Sequence, residues 1–186
     1  MFPYVFEEAL PINMFVGLYD DLDPKRNNDW RLCNISNPHN KTSHTSWQVN
    51  DCRQRLAYTK VGSYLKYQVD KYYHSVFPDR HPRFSLVRTY TNGQTFGQLS
   101  EFHVDYFDDT YYTVILFTNL EWDTNWGGEF TVRDSQGKYH LFPYIPNQAV
   151  LVPSNWSHNG SAPNSKTDAL RTTLALSYWD PSCPWK

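Results

Sequence analysis

Three features of this sequence predict a mainly β fold, a sandwich or barrel with helices packed on one face. Aromatic residues make up 17% of its 186 residues, and such side chains suit the pleated, half-buried surfaces of sheets. After Pro82 the chain becomes a succession of short runs rich in Val, Ile, Thr, Tyr and Phe, divided by Gly, Pro, Asn and Asp. That is the texture of consecutive β-strands. Before Pro82 the apolar residues recur at helical spacing instead. Helices first and strands afterwards indicate separate layers rather than alternating βαβ units.

The elements follow in order. Ala9–Leu22 carries Leu10, Met14, Phe15 and Leu18 at helix-like intervals, which predicts a first helix. Asp23–Ser46 is polar, contains Pro24 and Pro38, and reads as a long loop. Asn50–Phe77 reads as one long helix, or two, with the stripe Leu56, Val61, Leu65, Val69 and Tyr72 and with Asn50 or Asp51 as cap. Gly62 sits inside that helix and weakens it. Strands are predicted near Arg83–Thr91, Gly97–Val104, Tyr111–Leu120, Glu129–Arg133, Lys138–Phe142, Ala149–Pro153 and Arg171–Tyr178. The expectation is a single domain over 1–186, with 1–82 as mainly helical support and 83–186 as the β-barrel core.

Composition excludes several classes. A net charge of -2 gives no global attraction to nucleic acid or to an anionic membrane. Three cysteines, Cys33, Cys52 and Cys183, are an odd number, which argues against a disulfide framework and for a reducing compartment. The first ten residues carry Glu7 and Glu8 where a signal peptide has basic residues before an apolar run. No stretch approaches the roughly 18 apolar residues of a membrane span. A cytoplasmic protein is therefore expected, and nothing in the sequence selects an oligomeric state.

The chemistry concentrates in Phe102-His103-Val104-Asp105. On a strand alternate side chains share a face, so His103 and Asp105 would reach one ion together. Imidazole and carboxylate suit a borderline divalent metal such as iron(II). His158 lies 53 residues after Asp105, just beyond an expected strand, and is the candidate third ligand. Two histidines and one carboxylate on one face of an octahedral ion leave its other positions open, as in non-haem iron oxygenases. Arg171 opens a strongly β-prone stretch. An arginine in a core strand is costly unless it meets an anion. Thr173 shares its face, and a guanidinium beside a hydroxyl holds a carboxylate well.

The order His103-x-Asp105, His158, Arg171 resembles the 2-oxoglutarate/iron(II) dioxygenase superfamily, and more narrowly its prolyl 4-hydroxylase-like branch. Arg88-Thr89-Tyr90-Thr91-Asn92-Gly93-Gln94, Leu116-Phe117-Thr118-Asn119 and Trp126-Gly127-Gly128-Glu129-Phe130 resemble segments that accompany those residues in the branch. The resemblance covers roughly Arg83–Tyr178. It implies a double-stranded β-helix (jelly-roll or cupin-like) barrel. It implies His103, Asp105 and His158 as ligands of Fe(II), and Arg171, Thr173 and Tyr90 as 2-oxoglutarate-binding residues. It implies O2 as oxidant, ascorbate as a supporting reductant, and conversion of 2-oxoglutarate to succinate and carbon dioxide coupled to substrate hydroxylation. Phe117 stands where some relatives have a second cosubstrate tyrosine, which throws more of the binding onto Arg171 and Thr173. The carboxylate of Asp105 favours hydroxylation over halogenation. The branch points to a peptide or protein substrate, prolyl first, with small molecules such as amino acids, nucleobases and metabolites also open. A peptide would lie across the barrel mouth, against Asp105–Tyr112 and Asn119–Trp126.

Plainer readings stand beside these. Arg171 would pair with Glu129 or Asp168, Tyr90 would be core, and Trp156 would be either a pocket wall or a lid over the core. Cys33, His39, His44 and Cys52 lack the regular spacing of a zinc site. A non-catalytic cupin-like metal-binding module explains the strands but not an arginine placed for a dicarboxylate. A metal-dependent hydrolase would act without O2.

Overall fold

A computed structural model describes residues 2–37, 42–49, 56–98 and 100–182. The fold is mostly β, with two antiparallel sheets and two helices among these residues. The strands are β1 (Tyr4–Phe6), β2 (Trp30–Asn37), β3 (Thr42–Val49), β4 (Ser85–Gln94), β5 (Tyr111–Phe117), β6 (Phe130–Arg133), β7 (Tyr139–Phe142), β8 (Ala149–Pro153), β9 (Ser157–Gly160) and β10 (Arg171–Trp179). The helices are α1 (Ile12–Leu22) and α2 (Leu56–Val76). The larger sheet runs β1-β8-β5-β10-β4-β3-β2 and the smaller β7-β6-β9.

Both helices fold as their apolar periodicity dictates. In α1 the buried residues are Phe15, Leu18 and Leu22, one face of a helix. Its first turn closes on the Pro11 carbonyl, and Asp23, followed by Pro24, ends it. In α2 the buried stripe is Tyr58, Val61, Leu65, Val69 and Tyr73. Tyr73 rather than Tyr72 continues the stripe, and Tyr72 instead stacks on Tyr4 at 3.7 Å. The proposed caps Asn50 and Asp51 lie outside the described residues, as do His39, Cys52 and Cys183. Cys33 is a free thiol. Neither described helix is long and apolar enough to cross a membrane.

Gly62 is there for close packing. A Cβ at this position would stand 2.7 Å from Leu86 Cδ2, so glycine lets α2 settle onto the sheet. The Tyr178 hydroxyl donates to the Gly62 carbonyl at 2.9 Å, which fastens helix to sheet.

Two expectations are corrected. The polar stretch Asp23–Ser46 is not a long loop. Most of it pairs as the β2–β3 hairpin, joined to the larger sheet where Trp47 meets Gly93. A polar strand is invisible to apolar alternation when its neighbour supplies the pairing. Gly97–Val104 is not a strand among the described residues; its one β contact is a single antiparallel bridge between His103 and His158. The strands β1 and β9 were also not foreseen, each being only three or four residues long.

The larger sheet carries different material on its two faces. Val114, Leu116, Leu151, Leu174, Leu176 and Tyr178 pack with the helices. Ile115, Phe117, Val150, Val152 and Ala175 pack instead with Phe130 and Val132 of the smaller sheet. The alternation along β5, β8 and β10 is the period-2 geometry of strands buried on both sides. The candidate site opens on the second of these faces.

Candidate functional site

His103, Asp105, His158, Tyr90, Arg171 and Thr173 all line one cavity of about 340 Å³. The larger sheet contributes alternate residues of β4 (Arg88, Tyr90, Asn92, Gln94) and of β10 (Arg171, Thr173) to its wall. The smaller sheet contributes Phe130, His158 and Gly160. The side chains converge because each of these strands turns one alternate set inward.

His103, Asp105 and His158 each offer a ligand atom, and these atoms lie within 4.8 Å of one another. His103 is positioned by backbone pairing rather than by a strand of its own. His103 N donates to the His158 carbonyl at 3.0 Å, and His158 N donates back to the His103 carbonyl at 2.8 Å. The backbone of Asp105 donates to the Ser154 carbonyl at 3.0 Å, which ties the third residue to the end of β8.

The ring nitrogens have divided roles. His103 Nδ1 lies 3.0 Å from the Glu101 carbonyl and His158 Nδ1 lies 2.9 Å from the Trp156 carbonyl. A carbonyl only accepts, so both Nδ1 atoms carry a proton, and Nε2 is the nitrogen that each neutral ring would turn to an ion. His158 Nε2 is 3.6 Å from Asp105 Oδ2. Burial lowers the His158 pKa, against the pull of Asp105, which keeps the imidazole neutral.

The Asp105 carboxylate is held from both sides. Tyr90 OH donates to Oδ1 at 3.2 Å, and Thr113 Oγ1 donates to Oδ2 at 2.7 Å. Ser154 Oγ, 2.8 Å from Thr113 Oγ1, completes the chain as donor. Burial alone raises the Asp105 pKa, but His158, the Thr113 hydrogen bond, His103 and Arg88 outweigh it and hold the carboxyl below its ordinary range. Two imidazoles and one ionised carboxylate, each oriented by a hydrogen bond, make a donor set suited to a divalent transition metal.

At the other end of the cavity Arg171 is 2% exposed. Its Nε donates to the Gly128 carbonyl at 2.7 Å and its Nη1 to Gln94 Oε1 at 3.0 Å. Its Nη2 is buried with no protein partner. No ion pair to Glu129 or Asp168 forms. The guanidinium lies over the Tyr144 ring at 5.0 Å. Burial pulls its pKa down to about 10, so it stays charged at neutral pH. Gly127 and Gly128 have φ of 76° and 85°, a left-handed turn that only glycine adopts easily, and it aims the Gly128 carbonyl at Arg171. A Cβ on Gly160 would come 3.3 Å from Nη2, so glycine keeps that corner open. A buried cation with one unmet donor fits an anionic ligand carboxylate.

Several contributors were not foreseen. Gln94 ends the Arg88–Gln94 segment, and strand parity with Tyr90 is the signal that finds it. Thr113, Ser154 and Tyr144 carry no sequence signal, because their partners come from elsewhere in the chain. Trp156 does not line this cavity; its ring packs into the core between the sheets and its carbonyl orients His158. Nor does the segment Asn119–Trp126, whose Asn119, Leu120, Glu121 and Trp126 line a second cavity near the end of α1.

No protein-family model matches the sequence, and no curated protein matches it. Solved structures do. A prolyl hydroxylase from Trichoplax adhaerens, in complex with a peptide fragment of a hypoxia inducible factor, superposes with a TM-score of 0.69 at 14% identity, over 96% of this chain and 84% of that one. A prolyl-4-hydroxylase from Pseudomonas putida gives 0.63 at 14% identity, over 95% and 90%. HygX from Streptomyces hygroscopicus, with nickel, 2-oxoglutarate and hygromycin B bound, gives 0.61 at 10% identity, over 98% and 84%. The fold of this chain is that of the prolyl hydroxylases and 2OG-Fe(II) oxygenases.

Proposed function

We propose that this protein is an Fe(II)/2-oxoglutarate-dependent dioxygenase that hydroxylates a C–H bond of a peptide, prolyl or small-molecule substrate, on a double-stranded β-helix formed by the two sheets. The observation that carries the reading is the buried Arg171 with a free Nη2 in the same cavity as a His, Asp, His donor set. A metal-binding module needs the second feature but not the first. Structural neighbours that hold a peptide in one case, and 2-oxoglutarate with nickel in another, support both the cosubstrate and the breadth of substrate.

His103, Asp105 and His158 would hold the iron through Nε2, a carboxylate oxygen and Nε2. When bound, iron(II) and 2-oxoglutarate supply an O2-dependent oxidation that converts the cosubstrate to succinate and carbon dioxide and hydroxylates the substrate. Tyr90 and Thr113 fix the plane of the Asp105 carboxylate, so its orientation does not drift with the load on the site. The Trp156 and Glu101 carbonyls hold the two imidazole tautomers. Arg171 and Thr173 receive the cosubstrate's far carboxylate, and Gln94 and Gly128 prevent the guanidinium from turning away. Ile115 and Phe130 on the wall exclude water from the deep end.

The test is anaerobic titration of the iron(II)-loaded protein with 2-oxoglutarate, followed in the visible for the weak charge-transfer band of the chelate, and then a succinate assay after O2 is admitted. The expected result is a band followed by succinate. Bound iron with neither band nor succinate would overturn the reading in favour of a metal-binding module.

A further inference from the structure

The cavity contains a second arginine that the proposed cosubstrate does not use. β4 directs Arg88, Tyr90, Asn92 and Gln94 into it. Gln94 pairs with Arg171 across the sheet, whereas Arg88 pairs with Ser177 near the opposite end of β10. A strand rises about 3.3 Å per residue, so the Cα atoms of Gln94 and Arg88 lie roughly 20 Å apart. Tyr90, between them, is bonded to Asp105. The Arg88 guanidinium lies on the Tyr90 ring beside Asp105, whereas Arg171 is held at the Gln94 end of the strand, so 2-oxoglutarate bound through Arg171 leaves Arg88 to something else.

Arg88 has no hydrogen bond or ion pair with any described residue. Its guanidinium rests on the Tyr90 ring, 4.2 Å from the centroid, a cation–π contact that uses none of its N–H donors. Asp105 is the one carboxylate on the cavity wall among the described residues; Tyr90, Thr113 and the metal position already engage it, and Arg88 acts on it only through space. A divalent ion, Asp105, Arg171 and a dianionic cosubstrate balance in charge. Arg88 is the positive charge left over, and a single negative charge answers it. Gln48 and Asn92 line the same cavity and are bonded to each other at 3.5 Å, so they add no charge that would answer it. A cavity of about 340 Å³ stands near the lower end of the roughly 300–1,000 Å³ of small-molecule sites, with the cosubstrate still to be accommodated.

We infer that Arg88 binds the carboxylate of the substrate, and that the substrate is a small monocarboxylic acid of free amino-acid size rather than an internal residue of a peptide. The inference rests on the dioxygenase reading for the place of 2-oxoglutarate. It names the substrate class of the same site.

The test uses the Mn(II)-loaded protein with 2-oxoglutarate bound. The probes are the proteinogenic L-amino acids and their carboxamides, and the readout is paramagnetic broadening of each probe's proton NMR lines. Binding of 2-oxoglutarate is measured separately by calorimetry. One or more free amino acids should broaden where the matching carboxamide does not. Arg88→Gln should weaken that probe by about tenfold or more, the scale of a lost charge-assisted hydrogen bond. Arg88→Lys should restore part of it, and both variants should bind 2-oxoglutarate as the parent does, which also shows that they fold. No broadening by any acid, equal broadening by its amide, or a probe indifferent to Arg88→Gln would overturn the inference. If 2-oxoglutarate fails to bind while an acid still broadens through Arg88, the dioxygenase reading falls and the carboxylate site stands.

Discussion

Along β10, Leu174, Leu176 and Tyr178 pack toward the helices, while Arg171, Thr173 and Ser177 alternate with them toward the smaller sheet. All six are buried. The first set is apolar but for the Tyr178 hydroxyl, which is satisfied by the Gly62 carbonyl. The second is polar, and two of its atoms, Arg171 Nη2 and Ser177 Oγ, have no protein partner. One strand thus carries a face that stabilises the fold and a face that spends stability on readiness to bind. Buried polar groups without partners destabilise a protein by amounts similar to what apolar contacts contribute, so they persist where something else meets them.

Substitutions on the two faces should separate stability from binding. The largest effect is expected from Leu176→Ala, which opens a cavity on the helix side. It should lower unfolding free energy by about 2–5 kcal/mol in a urea titration and leave 2-oxoglutarate affinity unchanged well below the unfolding midpoint. A parallel loss of affinity would mean that the faces are not separable.

Arg171→Met keeps most of the volume and removes the charge. Cosubstrate affinity should fall by about 1.5–3 kcal/mol by calorimetry, with Mn(II) binding unchanged. Folding stability should hold or rise, because a buried guanidinium with an unmet donor is itself unfavourable. A marked drop in melting temperature would make Arg171 a structural residue instead.

Thr113→Val removes the donor to Asp105 Oδ2 without touching the ion's ligands. Mn(II) affinity should fall by about tenfold, at the low end for such supporting residues. Unchanged affinity would show that Tyr90 alone orients the carboxylate. The smallest effect is expected from Gly62→Ala. The gain in helix propensity, about 1 kcal/mol, opposes the contact with Leu86, whose side chain is partly exposed and able to turn aside. Net stability should stay within about 1 kcal/mol of the parent; a larger loss would show that the helix–sheet spacing is rigid.

Much of the site was legible from residue order. Arg171 stood out as a charge in an otherwise apolar strand, and such an anomaly points to a partner wherever the strand lies. His103 and Asp105 were brought together by the argument that alternate residues of a strand share a face. Their convergence holds, but the cause is a single bridge to His158 and a hydrogen bond to Ser154. The helices were legible because their stripes are local. The β2–β3 hairpin was not, since its polar residues follow no apolar alternation and its place depends on contact with β4.

The sequence by itself determined which segments alternate in hydrophobicity, where the two helices lie, and which residues have the chemistry to bind a divalent metal and an anion. Those properties depend on each residue and its near neighbours. The tertiary structure decided what those residues meet. Gln94 reaches Arg171 across 77 positions, Thr113 and Ser154 meet across 41, and Tyr178 bonds to Gly62 across 116. Contacts at such separations are set by how sheets and helices stack, and no local pattern encodes them.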